Sequence, residues 1–400
     1  SMPQPLEGSQ AVARAVARCR PEVVAAYPIT PQTHIVENLA GLIADGDCHA
    51  ELVSVESEHS AASVVLGAAA AGARAYTASA SQGVMLMSEV LYNISGLRIP
   101  VVMTCANRAL SAPLSIWNDQ QDAMAVRDAG WIQLFCADIQ EAVDTHIQAF
   151  RIAQETELPV MVCMDGFTLT HTLEPVEVPP AEAVDAFLPR FEFARALDPA
   201  QPLSHGTLVG PDHFPEARAD HHAALLASAE TIRTADREWE TATGRGWGGL
   251  LETRGDPAAP VGILALGGVV GTLLDAVDEG LADRPVRILR LRALRPFPAA
   301  ELAAACADLE TLVVVERAIS PGAGGVLTPE VKAALADAGL PPAVHGVAAG
   351  LGGRDIPLEI LPRLVALADR APDPFRIIDL EPDRLPASSV GPEAIEGGTP

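Results

Sequence analysis

Two kinds of hydrophobic pattern alternate over the first 180 or so residues: short apolar runs bounded by proline, glycine or polar residues, and longer stretches whose apolar positions recur at helical spacing. Val23 to Tyr27 reads as a strand closed by Pro28, and Leu52 to Val55 as a second. The alanine-rich stretch from Ser60 to Ala71 follows as a helix. Ala75 to Ser79 is a third strand, running into a turn at Ser81-Gln82-Gly83 and a helix from Val84 to about Gly96. Pro100 to Ala106 and Pro159 to Met164 are continuous apolar runs, the pattern of strands buried on both faces. Strand then helix, repeated, predicts an α/β fold with a parallel sheet covered on both sides.

Proline density in Glu174 to Pro180 closes this unit, because neither a helix nor a central strand continues through it. The first domain is therefore expected over 1–180. Residues 181 to about 219 are proline-rich and irregular, Asp220 to Thr243 has the pattern of one long helix, and a glycine-rich hinge follows at 244–249, so 181–255 reads as a connector. A second α/β unit, 256–380, has candidate strands at Val261 to Leu266, Val286 to Arg290 and Leu312 to Glu316. Its helices are expected near 270–280, 300–308, 329–338 and 357–369. The tail 381–400 is expected to be irregular or to wrap a partner.

Composition narrows the function. With 400 residues and 49% apolar content the chain has material for roughly two cores. Its 27 basic and 52 acidic residues leave a charge of −25, and aromatics are 4%, so nucleic acid and anionic membrane surfaces are excluded as expected partners. No apolar run reaches the length of a membrane span and no leader-like segment opens the sequence, which suits a cytoplasmic protein. The six cysteines are scattered, with no C-x-x-C, and read as buried thiols in a reducing compartment rather than disulfides, a zinc site or iron-sulfur ligands. Lys332 is the single lysine and gives no support to Schiff-base chemistry; the arginines are expected on the surface.

Candidate chemistry sits at strand ends. Glu58 follows a strand and opens a helix, with the small residues Ala61, Ala62 and Ser63 behind it; helix N-terminal amides favour its ionised form by roughly 0.3–1 kcal/mol. Alone, such a residue is an ordinary capping device, and Glu56 is its rival. Arg108 follows a buried strand, where a parallel sheet presents its ligand-facing edge, and its planar fork matches a carboxylate, although on the residues alone a structural salt bridge is the more common explanation. Thr30, between Ile29 and Pro31, reads as a capping hydroxyl. Ser81-Gln82-Gly83 either offers backbone amides to a ligand or is a plain turn. Asn118, Asp119, Gln121 and Asp122 form a polar cluster expected to order a site entrance or a partner interface, with no individual role assigned. Gly267 to Gly271 lacks dinucleotide-loop spacing and reads as a strand-to-helix turn. His213, His221 and His222 are expected to be solvent-exposed, and His59 to face away from Glu58.

The segments YPITP (27–31), ESEHSAA (56–62), TASASQG (77–83), NRALSAPLSIWNDQQD (107–122), RDAGWIQ (127–133), DGFTLTHTLEPVEVP (165–179), LRPFP (294–298) and GLGGRDIP (350–357) carry a resemblance. In register from about residue 10 to 370, the chain resembles the α subunit of the 2-oxoacid:ferredoxin oxidoreductases, of the pyruvate and 2-oxoisovalerate kinds. The resemblance implies a pyrimidine-type thiamine diphosphate-binding domain followed by a transketolase C-terminal-like domain. It implies that Glu58 activates the cofactor through its aminopyrimidine, that Thr30 lies beside the substrate carboxylate, that Arg108 binds that carboxylate, and that Ser81, Gln82 and Gly83 adjoin the cofactor.

A thiamine enzyme also needs a Gly-Asp-Gly motif for the magnesium that bridges the diphosphate, and this sequence has none. A β subunit is therefore expected to hold Mg2+ and the diphosphate, and partner subunits, including ferredoxin-like γ and δ chains, to hold [4Fe-4S] clusters. Such an enzyme converts a 2-oxo acid to acyl-CoA and CO2, with coenzyme A as cosubstrate and ferredoxin as acceptor. The alternatives are a branched-chain or aryl 2-oxo acid enzyme with another acceptor such as NAD, and a non-catalytic assembly subunit. A self-contained thiamine decarboxylase lacks its diphosphate motif here, and 2-oxoglutarate relatives carry a Gly-Leu-Pro-Thr element that this chain does not.

Overall fold

The computed structural model describes residues 2–340 and 342–386. The chain opens with β1 (Gln4–Glu7), α1 (Gly8–Arg18), β2 (Val23–Ala25), α2 (Thr33–Ala44), β3 (Glu51–Val53), α3 (Glu58–Ala70), β4 (Ala75–Ser79), α4 (Ser81–Leu86), α5 (Ser88–Gly96) and β5 (Val102–Asn107). It continues through α6 (Gln121–Ala125), β6 (Ile132–Phe135), α7 (Ile139–Thr156), β7 (Val160–Asp165), β8 (Leu173–Val176) and α8 (Ala181–Phe187) to the long α9 (Phe214–Thr243). Then follow β9 (Leu251–Gly255), β10 (Val261–Ala265), α10 (Val269–Asp278), β11 (Arg287–Leu291), β12 (Ala293–Arg295), α11 (Ala299–Cys306), β13 (Thr311–Glu316), α12 (Leu327–Asp337), β14 (Ala343–Ala348), α13 (Ile360–Val365) and β15 (Arg376–Ile377).

Two sheets carry the fold. The first is seven-stranded, ordered β12-β6-β7-β5-β4-β2-β3, and parallel except for the antiparallel edge strand β12. The second is six-stranded, ordered β15-β14-β13-β10-β11-β9, and parallel except for β9. Every residue of β5 and β7 is buried, as their unbroken apolar runs require. Of the dense prolines near 175, Pro175 lies on a two-stranded ribbon of β8 with β1, separate from both sheets, where a missing N–H is tolerated, and Pro179 and Pro180 follow it ahead of α8. Chain order and sheet membership diverge at two places. β9, at the end of the expected connector, pairs in the second sheet, and β12 reaches back from the second unit to pair with β6.

Local differences from the sequence reading have local causes. α3 begins at Glu58 because Ser57 caps it, its hydroxyl accepting from Ser60 N at 3.2 Å. The helix expected from Val84 starts at Ser81 and breaks at Met87 into α4 and α5. α9 starts earlier than its periodicity indicated, with a proline in its first turn. Of the tail, residues 382–384 form a single 3-10 turn; residues 387–400 lie outside the described residues.

The arginines depart most from expectation: Arg74, Arg287, Arg290, Arg292 and Arg317 are buried. Arg292 is wholly enclosed, donating to Gly249 O at 3.0 Å, Thr145 Oγ1 at 3.0 Å and Gln148 Oε1 at 2.8 Å. Three of its donor contacts go to fixed acceptors and its Nε lies 3.3 Å from Glu141 Oε1, so the buried charge does not stand unpaired. His221, expected to be exposed, is also buried: α9 sets its ring against Gly130, whose carbonyl lies 3.2 Å from Nε2. His213 and His222 are exposed. All six cysteines are buried and unbridged, and no helix among the described residues is long and apolar enough to cross a membrane.

The two sheets present carboxyl ends to each other. Asp165, ending β7, accepts from Gly268 N at 2.7 Å, just beyond β10. Arg317, just after β13, accepts from Gln120 N through its carbonyl at 2.8 Å and donates to Asn118 O at 3.2 Å. Asp119 accepts from Gly352 N at 3.0 Å, and Gln121 Oε1 from Ile319 N at 2.9 Å. The loop between β5 and α6 is thus held from above by the second unit.

Candidate active site

Four strand ends at the carboxyl edge of the first sheet lead to the candidate residues: Thr30 after β2, Glu58 opening α3 after β3, Ser81-Gln82-Gly83 opening α4 after β4, and Arg108 after β5. This is the edge at which open parallel sheets receive ligands.

Glu58 is 6% exposed, yet its carboxylate has no hydrogen-bond partner among the described residues. Helix capping is handled by its neighbours: Ser57 caps α3, and exposed Glu56 bonds the Ser60 hydroxyl, which holds the Glu56 carboxyl below its ordinary range. Opposite Glu58 stands Gly83. A Cβ there would lie 2.8 Å from Glu58 Oε1 and 2.3 Å from Ser79 Oγ, so glycine is what keeps the space in front of the carboxylate open. The Ser79 and Thr77 hydroxyls nearby in β4 are buried without partners. His59 turns away and sits 3.6 Å from Glu89 on α5.

Ser81 is buried with φ +51, a left-handed conformation that costs a non-glycine residue on the order of 1 kcal/mol or more. Two bonds hold it there: its hydroxyl donates to Ala109 O at 2.5 Å, and its amide to Asp122 Oδ2 at 2.9 Å. Gly83 N donates to Ala80 O at 2.9 Å. Neither Ser81 nor Gly83 therefore has a free amide to offer a ligand. The turn works instead through the missing Cβ of residue 83 and the bracing of Ser81.

Asp122 is the residue whose role the sequence left open, and it is the hub. Fully buried in the first turn of α6, its Oδ2 accepts from Ser81 N (2.9 Å) and Arg108 N (3.0 Å), and its Oδ1 from Asn107 Nδ2 (2.9 Å) and Ala123 N (2.8 Å). Burial pushes its carboxyl up to about 6, against the pull of those four donors.

Arg108, 7% exposed, is fixed by this backbone bond and by its side chain, which donates from Nε to Ser115 O at 2.8 Å and from Nη1 to Thr30 O at 3.0 Å. Thr30 and Arg108, 78 residues apart, are thereby brought into contact. Burial draws the guanidinium below its usual value, opposed by the Asp122 charge. Nη2 has no bond among the described residues, leaving the outer side of the fork open for an anion.

Sequence reasoning also missed the Gly267-Gly268 turn as an interdomain contact. A Cβ on Gly267 would lie 2.4 Å from Gln120 Nε2, and one on Gly268 2.4 Å from Asp165 Oδ2. The paired glycines were the only signal.

The carboxyl edge of the parallel sheet thus holds an unpartnered glutamate against a glycine notch, beside an arginine with an open fork, in a fold of the thiamine diphosphate-binding class. The chain belongs to the family of the 2-oxo acid oxidoreductases: residues 14–237 match pyruvate flavodoxin/ferredoxin oxidoreductase, thiamine diphosphate-binding, and residues 259–361 match pyruvate:ferredoxin oxidoreductase core domain II. It is 44% identical to pyruvate synthase subunit PorA of Methanosarcina barkeri, over 90% of this chain and 91% of that one. It is 37% identical to ketoisovalerate oxidoreductase subunit VorA of Pyrococcus horikoshii, over 88% and 89%. Among solved structures, the 2-oxoglutarate:ferredoxin oxidoreductase of Magnetococcus marinus superposes with a TM-score of 0.68 at 20% identity, covering 92% of this chain, which spans 65% of that one; this likeness is one of fold.

Proposed function

We propose that this chain is the α subunit of an oxidoreductase that converts pyruvate, or a close relative, and coenzyme A to acyl-CoA and CO2, using thiamine diphosphate and passing electrons to ferredoxin. The observation that carries the reading is the Glu58 carboxylate, on a side chain 6% exposed, unpartnered among the described residues and opening onto the Gly83 notch. An acceptor left open at the mouth of such a notch suits a heterocycle that donates an N–H, as the aminopyrimidine of thiamine does. Bound thiamine diphosphate supplies a nucleophilic carbon for the keto group and an electron sink for decarboxylation.

This chain's own residues do the rest of the work assigned to it. Glu58 shares a proton with the aminopyrimidine ring and holds it in place. Arg108, with Thr30 beside it, orients the 2-oxo acid carboxylate through charge-assisted hydrogen bonds. Asp122 positions Arg108 and Ser81. Gly83 admits the ring, and Ser81 and Gln82 complete the wall next to it. We assign these roles to residues 1–180 as the pyrimidine-binding domain, with 181–255 as connector and 256–380 as the domain that closes over it.

The diphosphate, its Mg2+ and the [4Fe-4S] clusters are assigned to partner chains, a β subunit and ferredoxin-like γ and δ subunits. The absence of Gly-Asp-Gly from this sequence and the subunit status of the PorA relatives support this. A cytoplasmic setting accords with six unbridged cysteines. Pyruvate is favoured over a branched-chain acid because the higher-identity relatives are pyruvate synthase subunits.

The test is coexpression with a subunit that carries Gly-Asp-Gly and clustered cysteines, followed by turnover on a panel of 2-oxo acids. The assembled wild type is expected to oxidise pyruvate, and Glu58→Gln to assemble but lose turnover and proton exchange at thiamine C2. If the Gln variant exchanges normally and Glu56→Gln does not, the assignment of Glu58 fails.

A further inference from the structure

We propose that Glu7, His34 and His171 form a binding site for a divalent cation of the zinc class, on the outer side of the loop that carries Thr30. The three come from separate elements: Glu7 ends β1, His34 lies in the first turn of α2, and His171 lies in the turn between β7 and β8. One ligand atom from each can be chosen so that all lie within 4.8 Å of one another. His34 Nδ1 is already 2.8 Å from Glu7 Oε1, and the two imidazole rings are 4.4 Å apart between centroids.

Tetrahedral zinc with bonds of about 2.0–2.1 Å sets its ligand atoms roughly 3.3–3.4 Å apart. The widest separation must therefore close by about 1.5 Å at most, and the His34–Glu7 pair open by about 0.5 Å, both small movements of side chains. Two imidazoles and one carboxylate also match the ligand preference of zinc rather than that of calcium or magnesium, which take oxygen. Three protein ligands leave a fourth position for water or a partner's group.

The surroundings are built as such a site requires. Thr170 Oγ lies 2.7 Å from His171 Nδ1 and accepts from Phe167 N at 2.8 Å, so one ring nitrogen of His171 is engaged and Nε2 is the one left to bind. Phe167 packs against the same ring at 4.7 Å, fixing its plane. The backbone brings Glu7 to this turn. Gly8 N donates to Thr172 O at 3.1 Å, Ser9 N to Thr170 O at 2.9 Å, and a Cβ on Gly8 would lie 1.8 Å from Leu169 O, an approach only glycine permits. A surface Glu–His ion pair needs none of this close packing, and it would not set a second imidazole, with an engaged Nδ1, beside the first.

A cation here would pin the first turn of α2, and with it the Thr30–Pro31 segment, to the β1–β8 ribbon. The same turn also reaches that segment from below, since a Cβ on Gly166 would lie 2.5 Å from Pro31 Cγ. The effect on substrate rests on the role proposed for Thr30, whereas the cation site does not.

The assembled complex, depleted with a chelator and dialysed, is titrated with Zn2+, and bound zinc is counted by mass spectrometry alongside the melting temperature. Wild type is expected to take up one more zinc per α subunit than His34→Gln or His171→Ala, and to melt higher with zinc only when all three ligands are present. His34→Gln, at an exposed position, guards against a variant that fails to fold. Equal zinc content in wild type and both variants overturns the site, as does binding of Mn2+ or Ca2+ without zinc. Zinc binding that leaves the KM for pyruvate unchanged upholds the site and removes only its link to Thr30.

Discussion

Asp122→Asn separates two forces that meet on one buried carboxylate. Burial favours the protonated acid, and four N–H donors favour the anion; burial is the stronger, placing the carboxyl at about 6 against an ordinary 3.8. A rise of roughly two pH units is worth about 3 kcal/mol at 1.36 kcal/mol each, to order of magnitude. The sign follows from proton linkage. Because the folded carboxyl binds protons more tightly than the unfolded one, wild-type stability falls as pH rises from about 4 to about 6, and the full cost is present at neutral pH. Asparagine does not titrate, so it escapes that cost. It brings another: its amide must face either Ser81 N and Arg108 N or Asn107 Nδ2 and Ala123 N, leaving two buried donors without an acceptor at about 1–3 kcal/mol each. The variant should therefore be clearly less stable than wild type at pH 4 and only slightly so at pH 7.5, while its KM for the 2-oxo acid rises to the extent that the amide nitrogen faces Arg108 N and removes its anchor. Melting temperatures of both proteins across that range test this, since the other carboxylates titrate alike in each and cancel. A gap that widens with rising pH would refute the reasoning, because it would show that the four donors outweigh burial.

Gly83→Ala puts a methyl 2.8 Å from Glu58 Oε1, so thiamine diphosphate affinity should fall at least tenfold while near-ultraviolet circular dichroism is unchanged; normal affinity would mean that the notch is not the ring's seat. Arg108→Lys should raise the KM for the 2-oxo acid far more than it lowers kcat, because a point charge replaces a two-pronged fork whose other arms hold Ser115 O and Thr30 O; steady-state kinetics on the assembled enzyme decide. Gly268→Ala drives a methyl to 2.4 Å from Asp165 Oδ2 and should loosen the second unit from the first, seen as faster hydrogen exchange over residues 107–122 with each sheet still protected.

The sequence exposed those parts of the fold that depend on local patterning. β5 and β7 were legible as unbroken apolar runs, and Glu58 as a carboxylate at a strand-to-helix junction backed by alanines. α7 was not legible, for a physical reason: its buried face carries Glu141, Asp144, Thr145, His146 and Gln148, which blur the apolar period. Those groups are acceptable inside because Arg245, Arg290 and Arg292 arrive from about a hundred residues away or more to pair with them, as Arg245 does with Asp144 at 2.7 Å. The same non-local pairing explains why arginines expected at the surface are buried. β12 was missed because three residues carry no periodicity; it is a strand only because β6 lies ready to receive it. At the site, single residue types pointed to Glu58 and Arg108, but nothing local marks an aspartate as the acceptor for two other loops, so Asp122 became readable only once β4, β5 and α6 were in place.

The second unit contributes none of the residues assigned to the chemistry, yet it bears on the chemistry through one loop. Arg108 is held at three points, and one of them, Ser115 O, belongs to the 107–122 loop itself, so the fork is only as well placed as that loop. The loop's far half is tied to residues after β13 and β14: Gln120 N to Arg317 O, Asn118 O to Arg317 Nη2, Asp119 to Gly352 N, and Gln121 to Ile319 N. Asp122, the next residue, passes that constraint directly to Arg108 N and Ser81 N. A carboxylate-binding arginine on a free surface loop would lose affinity to its own motion, since ordering side chain and backbone costs of the order of 1–2 kcal/mol per residue. Docking the second sheet's carboxyl edge onto the first meets that cost during folding, before substrate arrives. The facing carboxyl ends of the two sheets therefore make the second unit part of the rigidity of the binding site proposed around Arg108.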